Sequence, residues 1–355
     1  MVLRASNLRQ VAPSLRSALL AWFKKHQRRL PWRVKPSAYA TVVSELMCQQ
    51  TQIATVLPYF ERWVSKWPDF ANLAKAEEAE VLAHWAGLGY YSRAKNLWRL
   101  AQEVAALSEV PTTAAGWQNF RGVGPYTAAA IASIAFREPV AVVDGNVIRV
   151  LARLMGERQE FRDGAQAMKY FQPLANQLVD PQHPGDFNQA MMELGALVCR
   201  KAGPLCDACP LADFCQSRGK SDLEVVPRFT PKKRQFATVD RLVVLAGSQV
   251  LLRRYGATAK RLGGMCELPT AESLQLTLQT EPAQIAKRTI GTVTYAERLH
   301  AVKLTSDLKK RIKTDAELEW VEMTELAHAS LSGPHRQWLQ KWFTRNDPPK
   351  PGKSP

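Results

Sequence analysis

Acidic residues are missing from the start of this chain. The first 44 residues carry nine Lys and Arg side chains, and Glu45 is the first carboxylate. The bias persists along the 355 residues, where 48 basic side chains against 32 acidic ones leave a net charge of +16. Such an excess points to a polyanionic partner, nucleic acid before an anionic membrane. Long apolar runs are absent too. Nothing approaches the roughly 18 apolar residues of a membrane span, and the mean hydropathy is −0.24. No apolar segment with a small-residue cleavage site opens the chain, which argues against secretion. An Arg-rich start can be a transit peptide, but Trp22, Trp32 and their patterned apolar neighbours read as folded chain. Cysteine is scarce: six in all, four of them within seventeen residues. One tight cluster suits a metal site in a reducing, cytoplasmic compartment better than a disulfide framework. With 46% hydrophobic and 23% charged residues, global disorder is excluded.

The length predicts two or three domains. Residues 10–215 read as almost wholly helical, with Ala, Leu and Trp recurring three and four apart and Pro and Gly punctuating the segments. Leu73–Trp85, Ser92–Ala106 and Thr127–Phe136 are expected helices. Residues 216–235, with Pro227, Pro231, Lys232, Lys233 and Arg234, have the composition of a basic linker. From about 236 the pattern becomes α+β. Arg241–Ala246 and Gln249–Arg253 flank Gly247-Ser248 as a hairpin. Further β-type runs lie at Gly291–Tyr295 and His300–Leu304, and helical patterns at Met323–Ala329 and His335–Phe343. The Pro- and Lys-rich tail 346–355 is expected to be disordered.

Three local features carry chemistry. Cys199, Cys206, Cys209 and Cys215 are spaced C-x6-C-x2-C-x5-C, which admits zinc or a [4Fe–4S] cluster; with only one C-x2-C knuckle, the spacing favours the cluster. Cys48 and Cys266 lie far away and read as small packed hydrophobes. The run Phe120-Arg121-Gly122-Val123-Gly124-Pro125-Tyr126 joins two helical patterns. Its glycines allow either a plain tight turn or a backbone approach to phosphate at the next helix start. Asp144 follows four apolar residues and precedes a helical run, so it is either an N-cap or, if the hairpin grips DNA, a carboxylate facing the sugar.

Together these features resemble the helix–hairpin–helix DNA glycosylases that include endonuclease III. Further motifs resemble the adenine DNA glycosylases of the MutY type: Leu30-Pro31-Trp32-Arg33, Ser44-Glu45-Leu46-Met47-Cys48-Gln49-Gln50-Thr51-Gln52, Gly87-Leu88-Gly89-Tyr90-Tyr91-Ser92-Arg93 and Met192-Glu193-Leu194-Gly195-Ala196-Leu197-Val198-Cys199. The resemblance covers about residues 12–216, and more weakly 236–345. It implies a mainly α fold: residues 1–215 as a six-helix barrel beside an iron–sulfur module, and 236–345 as a Nudix-like α+β domain that checks for 8-oxoguanine. It implies one [4Fe–4S] cluster on the four cysteines and a monomer acting on duplex DNA with adenine opposite 8-oxoguanine or guanine.

The resemblance also implies roles. Glu45 becomes the acid that protonates the purine ring, which needs a raised pKa; Val42, Val43 and Leu46 can supply the desolvation. Asp144 becomes the anion that stabilises the oxocarbenium-like sugar, with Asn146 orienting it. Tyr126 stands where bifunctional relatives carry a Schiff-base lysine, so base removal without efficient strand cleavage is expected. Gln49, Gln50 and Tyr90 match positions that fill the hole left by a flipped base. Arg33 and Glu193 match the adenine pocket, and Gly122 and Gly124 the hairpin.

The chain departs from the pattern in places. Arg121 replaces a common proline, and Cys48 a usual leucine beside the pocket. Gly263-Gly264-Met265-Cys266-Glu267-Leu268-Pro269 lacks the Nudix-like tryptophan, and no Arg-Glu-x-x-Glu-Glu box follows, so pyrophosphate hydrolysis is not expected. Tyr295-Ala296-Glu297 aligns with the family's Phe-Ser-His loop, which predicts weak lesion selection. Two rival readings are a glycosylase for another mismatched base, such as thymine opposite guanine, and a non-catalytic iron–sulfur DNA-binding protein. A protonating acid suits a purine leaving group, and the second rival needs neither carboxylate.

Overall fold

A computed structural model describes residues 3, 7–231, 234–256, 259, 264–326 and 329–345. The chain divides into two compact units: residues 1–81 with 92–231, and residues 82–91 with 232–355.

The first unit is helical. Its principal helices are α1 (Leu8–His26), α2 (Pro31–Val34), α3 (Ala38–Cys48), α4 (Ile53–Lys66) and α5 (Phe70–Ala74). After α6 (Glu78–Trp85) come α7 (Ser92–Ala105), α8 (Ala114–Trp117), α9 (Pro125–Phe136), α10 (Gly145–Met155), α11 (Gly164–Leu178) and α12 (Pro184–Leu197). The expected helix Leu73–Trp85 is two helices. Asp69 caps α5 through Asn72 N–H, the chain turns at residues 75–77, and α6 restarts with Glu78 and Glu80 in its first turn. Acids there suit the positive end of the helix dipole.

One core of this unit lies among α1, α10, α11 and α12, with Leu15, Leu19, Leu151, Phe161, Phe171 and Leu194 nearly or fully buried. Another is built on α9, an Ala-rich helix whose Ala128, Ala130 and Ala132 are fully buried. Small side chains let α9 approach α3 and α12 closely, and that approach sets the geometry of the cleft described below.

The stretch 216–235 was expected to be a linker, yet most of it is laid on the helical unit. Gln216 N–H and Ser217 N–H donate to the Leu154 and Arg153 carbonyls. Arg158 grips Asp222 at 2.6 Å, and buried Arg153 donates to the Val226 carbonyl. Strand β2 (Arg228–Phe229) then pairs in parallel with β1 (Glu160–Phe161). Polar composition reads as linker, but here the polar groups are partners for the end of α10. Lys232 and Lys233 lie outside the described residues, as do Gly263 and the tail 346–355.

In the second unit, strands β3 (Gln235–Ala246), β4 (Gln249–Arg254), β5 (Cys266–Glu267), β6 (Gln284–Ile290), β7 (Val293–Val302) and β8 (Leu318–Glu322) form one mixed sheet, ordered β5-β4-β3-β7-β6 with β8 also on β4. The hairpin at Gly247-Ser248 forms as expected, with Ala246 paired to Gln249. Strands β3 and β7 are parallel. Leu242, Val244 and Leu251 pack with Leu308 and Ile312 of α13 (Ser306–Thr314), while Val243, Val250 and Leu252 pack with Trp338, Leu339 and Trp342 of α14 (Gly333–Arg345). Helix α13 and strand β6 escaped the sequence pattern. The expected helix Met323–Ala329 is only a short 3-10 turn, Met323–Glu325, with residues 327–328 outside the described set.

Candidate active site

A cleft of about 830 Å³ opens on the helical unit. Glu45, Gln49, Gln50, Tyr126, Asp144, Asn146, Arg33 and Glu193, all singled out in the sequence, line it together. Gly122 and Gly124 are not among its lining residues. Tyr90 lies in the second unit, 62% exposed, with φ of 48° after Gly89.

Glu45 sits in the last turn of α3, capped at its start by Ser37. Val42 and Val43 are fully buried and Leu46 nearly so. The Tyr126 hydroxyl, from the first turn of α9, donates to Glu45 Oε2. Burial pushes the Glu45 carboxyl up to about 7; the Tyr126 hydrogen bond and Arg33 oppose this, and the nearby Asp144 charge adds to it. Burial likewise drives the Tyr126 phenol well above its ordinary value, helped by the Glu45 and Asp144 charges. Tyr126 is therefore a donor at neutral pH and not a base.

Asp144 is both an N-cap and a cleft residue. One carboxylate oxygen accepts from Val147 N–H at 2.7 Å and the other from Asn146 Nδ2 at 2.9 Å. Burial raises its pKa, while these two donors and Arg149 restrain the rise. Arg149 donates to Asn146 Oδ1 at 2.9 Å and to the Gly195 carbonyl at 2.8 Å, fixing the amide that orients Asp144. Gly195 is required at the contact: a Cβ there would lie 2.6 Å from Asn146 Cβ. The cleft thus pairs one carboxyl that is half protonated near neutrality with one bound by two donors that favour its anion.

Glu193, 1% exposed, lies between two guanidiniums: Arg28 Nη2 at 2.7 Å and Arg33 Nη2 at 3.0 Å. Burial raises its pKa, but the hydrogen bonds from Arg28 and Arg33 outweigh that and hold it at about 2. Arg33 Nε also donates to Gln189 Oε1. Sequence reasoning missed Arg28; its only signal was a place in the acid-free N-terminal run. Arg93, quoted only as the end of a motif and given no role, is 7% exposed and donates to the Leu46, Met47 and Gln49 carbonyls at the C-terminal end of α3. A cation at that end suits the helix dipole and steadies the Gln49–Gln50 turn, where Gln50 has φ of 55°. Phe229 was missed because it falls in the supposed linker.

The four clustered cysteines line one small cavity with Arg153 and Arg218. Arg153 Nη1 lies 3.4 Å from Cys199 Sγ, and Cys215 Sγ lies 3.3 Å from the Arg153 carbonyl. Burial pushes the Cys209 thiol up to about 12, with Cys199, Cys215 and Cys206 adding to the rise. Among the described residues, no three His, Cys, Asp or Glu side chains converge as ligands of a single metal ion.

In the sheet unit, Tyr295-Ala296-Glu297 is not a loop but the middle of β7. Glu297 is fully buried and its oxygens are taken by Arg241 at 2.8 Å and by Arg288. Arg241 and Arg288 also bind Glu267, which His335 Nε2 approaches at 3.3 Å. The turn between β6 and β7 falls at Gly291-Thr292 instead. Glu297 is therefore a structural ion-pair residue, unavailable to a lesion base.

Residues 43–177 match the HhH-GPD superfamily of base excision DNA repair proteins. The chain resembles a thermostable thymine-DNA glycosylase structure, with a TM-score of 0.52 and 25% identity over 59% of this chain and 98% of that one. The chain is also similar to the adenine DNA glycosylases. It is 46% identical to the rat protein over 228 residues, 60% of this chain and 44% of the relative, and 46% identical to the human one over 222 residues, 59% and 40%. The protein of Buchnera aphidicola subsp. Baizongia pistaciae is 34% identical over 206 residues, 56% and 57%. The matched chain spans about half the length of these curated relatives. No helix of the described residues is long and apolar enough to cross a membrane.

Proposed function

We propose that the chain is a monofunctional adenine DNA glycosylase acting on adenine mispaired with guanine or 8-oxoguanine. The observation that carries this is Glu45: a carboxyl raised to about 7, held by Tyr126, in the same cleft as Asp144. The flipped adenine enters the cleft beside Arg33, Glu193 and Arg28. Protonated Glu45 gives its proton to the purine ring, the bond from the base nitrogen to the sugar breaks, and the bonding electrons leave with the base. Positive charge left on the sugar is met by the Asp144 anion. Ionised Glu45 then takes a proton from water as that water adds to the sugar carbon. No amine stands at Tyr126 to trap the sugar, so the product is an intact strand with an abasic site.

Cys199, Cys206, Cys209 and Cys215 fit a [4Fe–4S] cluster. Four thiols line one cavity, and burial together with the neighbouring thiolates raises the pKa of Cys206, Cys209 and Cys215, an arrangement that suits a cationic cluster. When bound, the cluster supplies a covalent clasp for the chain between Val198 and Gln216, and no step of the reaction passes through it. The sheet unit contributes to opposite-base choice with a weaker lesion preference than a Phe-Ser-His loop gives, since Glu297 is committed to Arg241 and Arg288.

The test is base release from duplexes with A opposite 8-oxoguanine, A opposite G and T opposite G. Adenine should be released from the first two at similar saturating rates and nothing from the third. Thymine release, or no release from any duplex, would overturn the proposal.

A further inference from the structure

The cleft holds far more room than one purine ring needs, and its apolar lining includes Ile148, Met168 and Phe229. Phe229 is unusual among them. It is 42% exposed although aromatic, and it borders the same cleft as both carboxylates.

Its place is built rather than incidental. Phe229 pairs with Phe161 across the β1–β2 ladder, and Thr230 N–H donates to the Phe161 carbonyl at 2.9 Å. Its ring leans on the buried Phe161 ring at 6.2 Å, and Phe161 in turn packs on Phe171. The approach to the strand is tied down by Arg153 to the Val226 carbonyl and by Arg158 to Asp222. One side of the ring is thus supported by a packed core, while the ring still reaches the cleft. Arg228, 46% exposed and paired to Asp222, precedes it.

We propose that Phe229 is a stacking contact for the nucleotide next to the target adenine on the same strand. The inference rests on the proposed function and adds to it a second DNA subsite beyond the base pocket. The occupant is a nucleotide because the ring is continuous with the cleft that takes the flipped base, on a chain of net charge +16. A planar base covers an exposed ring without requiring hydrogen-bond partners, so the contact is tolerant of sequence. Extrusion of the adenine also leaves its neighbour unstacked on one face, and an aromatic ring offers a replacement.

The experiment uses the full chain and a duplex with A opposite G, with 5-iodouracil placed in turn on either side of the adenine. Irradiation should crosslink wild-type protein at one flanking position, with the adduct mapped to Phe229. Phe229→Leu keeps apolar bulk without a π-face; it should lose the crosslink and weaken binding of an uncleavable duplex about ten- to a hundredfold, within the range for one stacked base. Phe229→Trp should bind at least as well as wild type. Equal melting temperatures for the variants exclude a folding defect. If Phe229→Leu binds like wild type, or the crosslink maps elsewhere, the ring is not a stacking contact. If wild type binds and crosslinks but releases no adenine, the functional reading fails and this contact stands. If wild type does not bind the duplex, both fall.

Discussion

Removing one oxygen atom tests how the cleft sets its acid. In Tyr126→Phe the ring and its packing on α9 remain, but the hydroxyl that donates to Glu45 is gone. That donor favours the ionised carboxylate, so it lowers the Glu45 pKa against the larger effect of burial. A hydrogen bond to a charged group is worth roughly 1.5–3 kcal/mol, and one pKa unit is about 1.4 kcal/mol. The variant's Glu45 should therefore titrate about one to two units higher. The acid must be protonated to act, so activity is present below its pKa and is lost as pH rises through it. In wild type the alkaline limb of the single-turnover rate should fall through about pH 7, and at one unit above the pKa only about a tenth of the enzyme keeps the proton. On the acid side the rate should fall as Asp144 gains a proton, above the ordinary aspartate range. The two carboxyls interact, so both limbs belong to the pair. The assay is the single-turnover rate of adenine release from pH 5 to 9 with saturating enzyme. An alkaline limb in Tyr126→Phe that stays in place, or moves to lower pH, would refute this account of the acid.

Other expectations follow from contacts elsewhere. Gly195→Ala should slow adenine release while DNA binding persists, with a stability loss of about 1–3 kcal/mol, because its Cβ would fall 2.6 Å from Asn146 Cβ; thermal melting and the single-turnover rate check both. Arg241→Ala should cost about 3–5 kcal/mol in unfolding measurements of the sheet unit, since it strips a partner from buried Glu267 and Glu297 at once; a loss below about 1 kcal/mol would show that Arg288 alone suffices. Anaerobically purified protein should be yellow-brown with about four irons per chain, and stoichiometric zinc without iron would contradict the cluster assignment.

The residues proposed to do the chemistry were named before the fold. Glu45, Asp144, Tyr126, Arg33 and Glu193 lie in five separate stretches and meet in one cleft. Of the two alternatives for Asp144, the N-cap is observed, and the capping carboxylate also lines the cleft. Failures came where composition stood in for partners. Residues 216–229 look like a linker until Arg153 and Arg158 are seen to hold them, and those arginines belong to a distant helix end. Tyr295-Ala296-Glu297 was aligned with a loop because local alignment carries no information about a neighbouring strand. Only the register that sets β3 and β6 beside β7 shows Arg241 and Arg288 closing on Glu297. Arg28 sits outside any motif, and its part depends on a helix 165 residues away.

The central claim is that a protonated Glu45 breaks the bond to adenine. The most direct measurement compares wild type and Glu45→Gln on one duplex with A opposite G, recording binding and free adenine in single turnover. The amide cannot give up a proton, so binding should persist while release falls at least a hundredfold. The variant should also melt no lower than wild type at pH 8. A carboxyl whose pKa is raised by folding contributes stability below the unfolded value and loses it as pH rises through about 7. Adenine release by Glu45→Gln at a rate near that of wild type, with binding intact, would contradict the account.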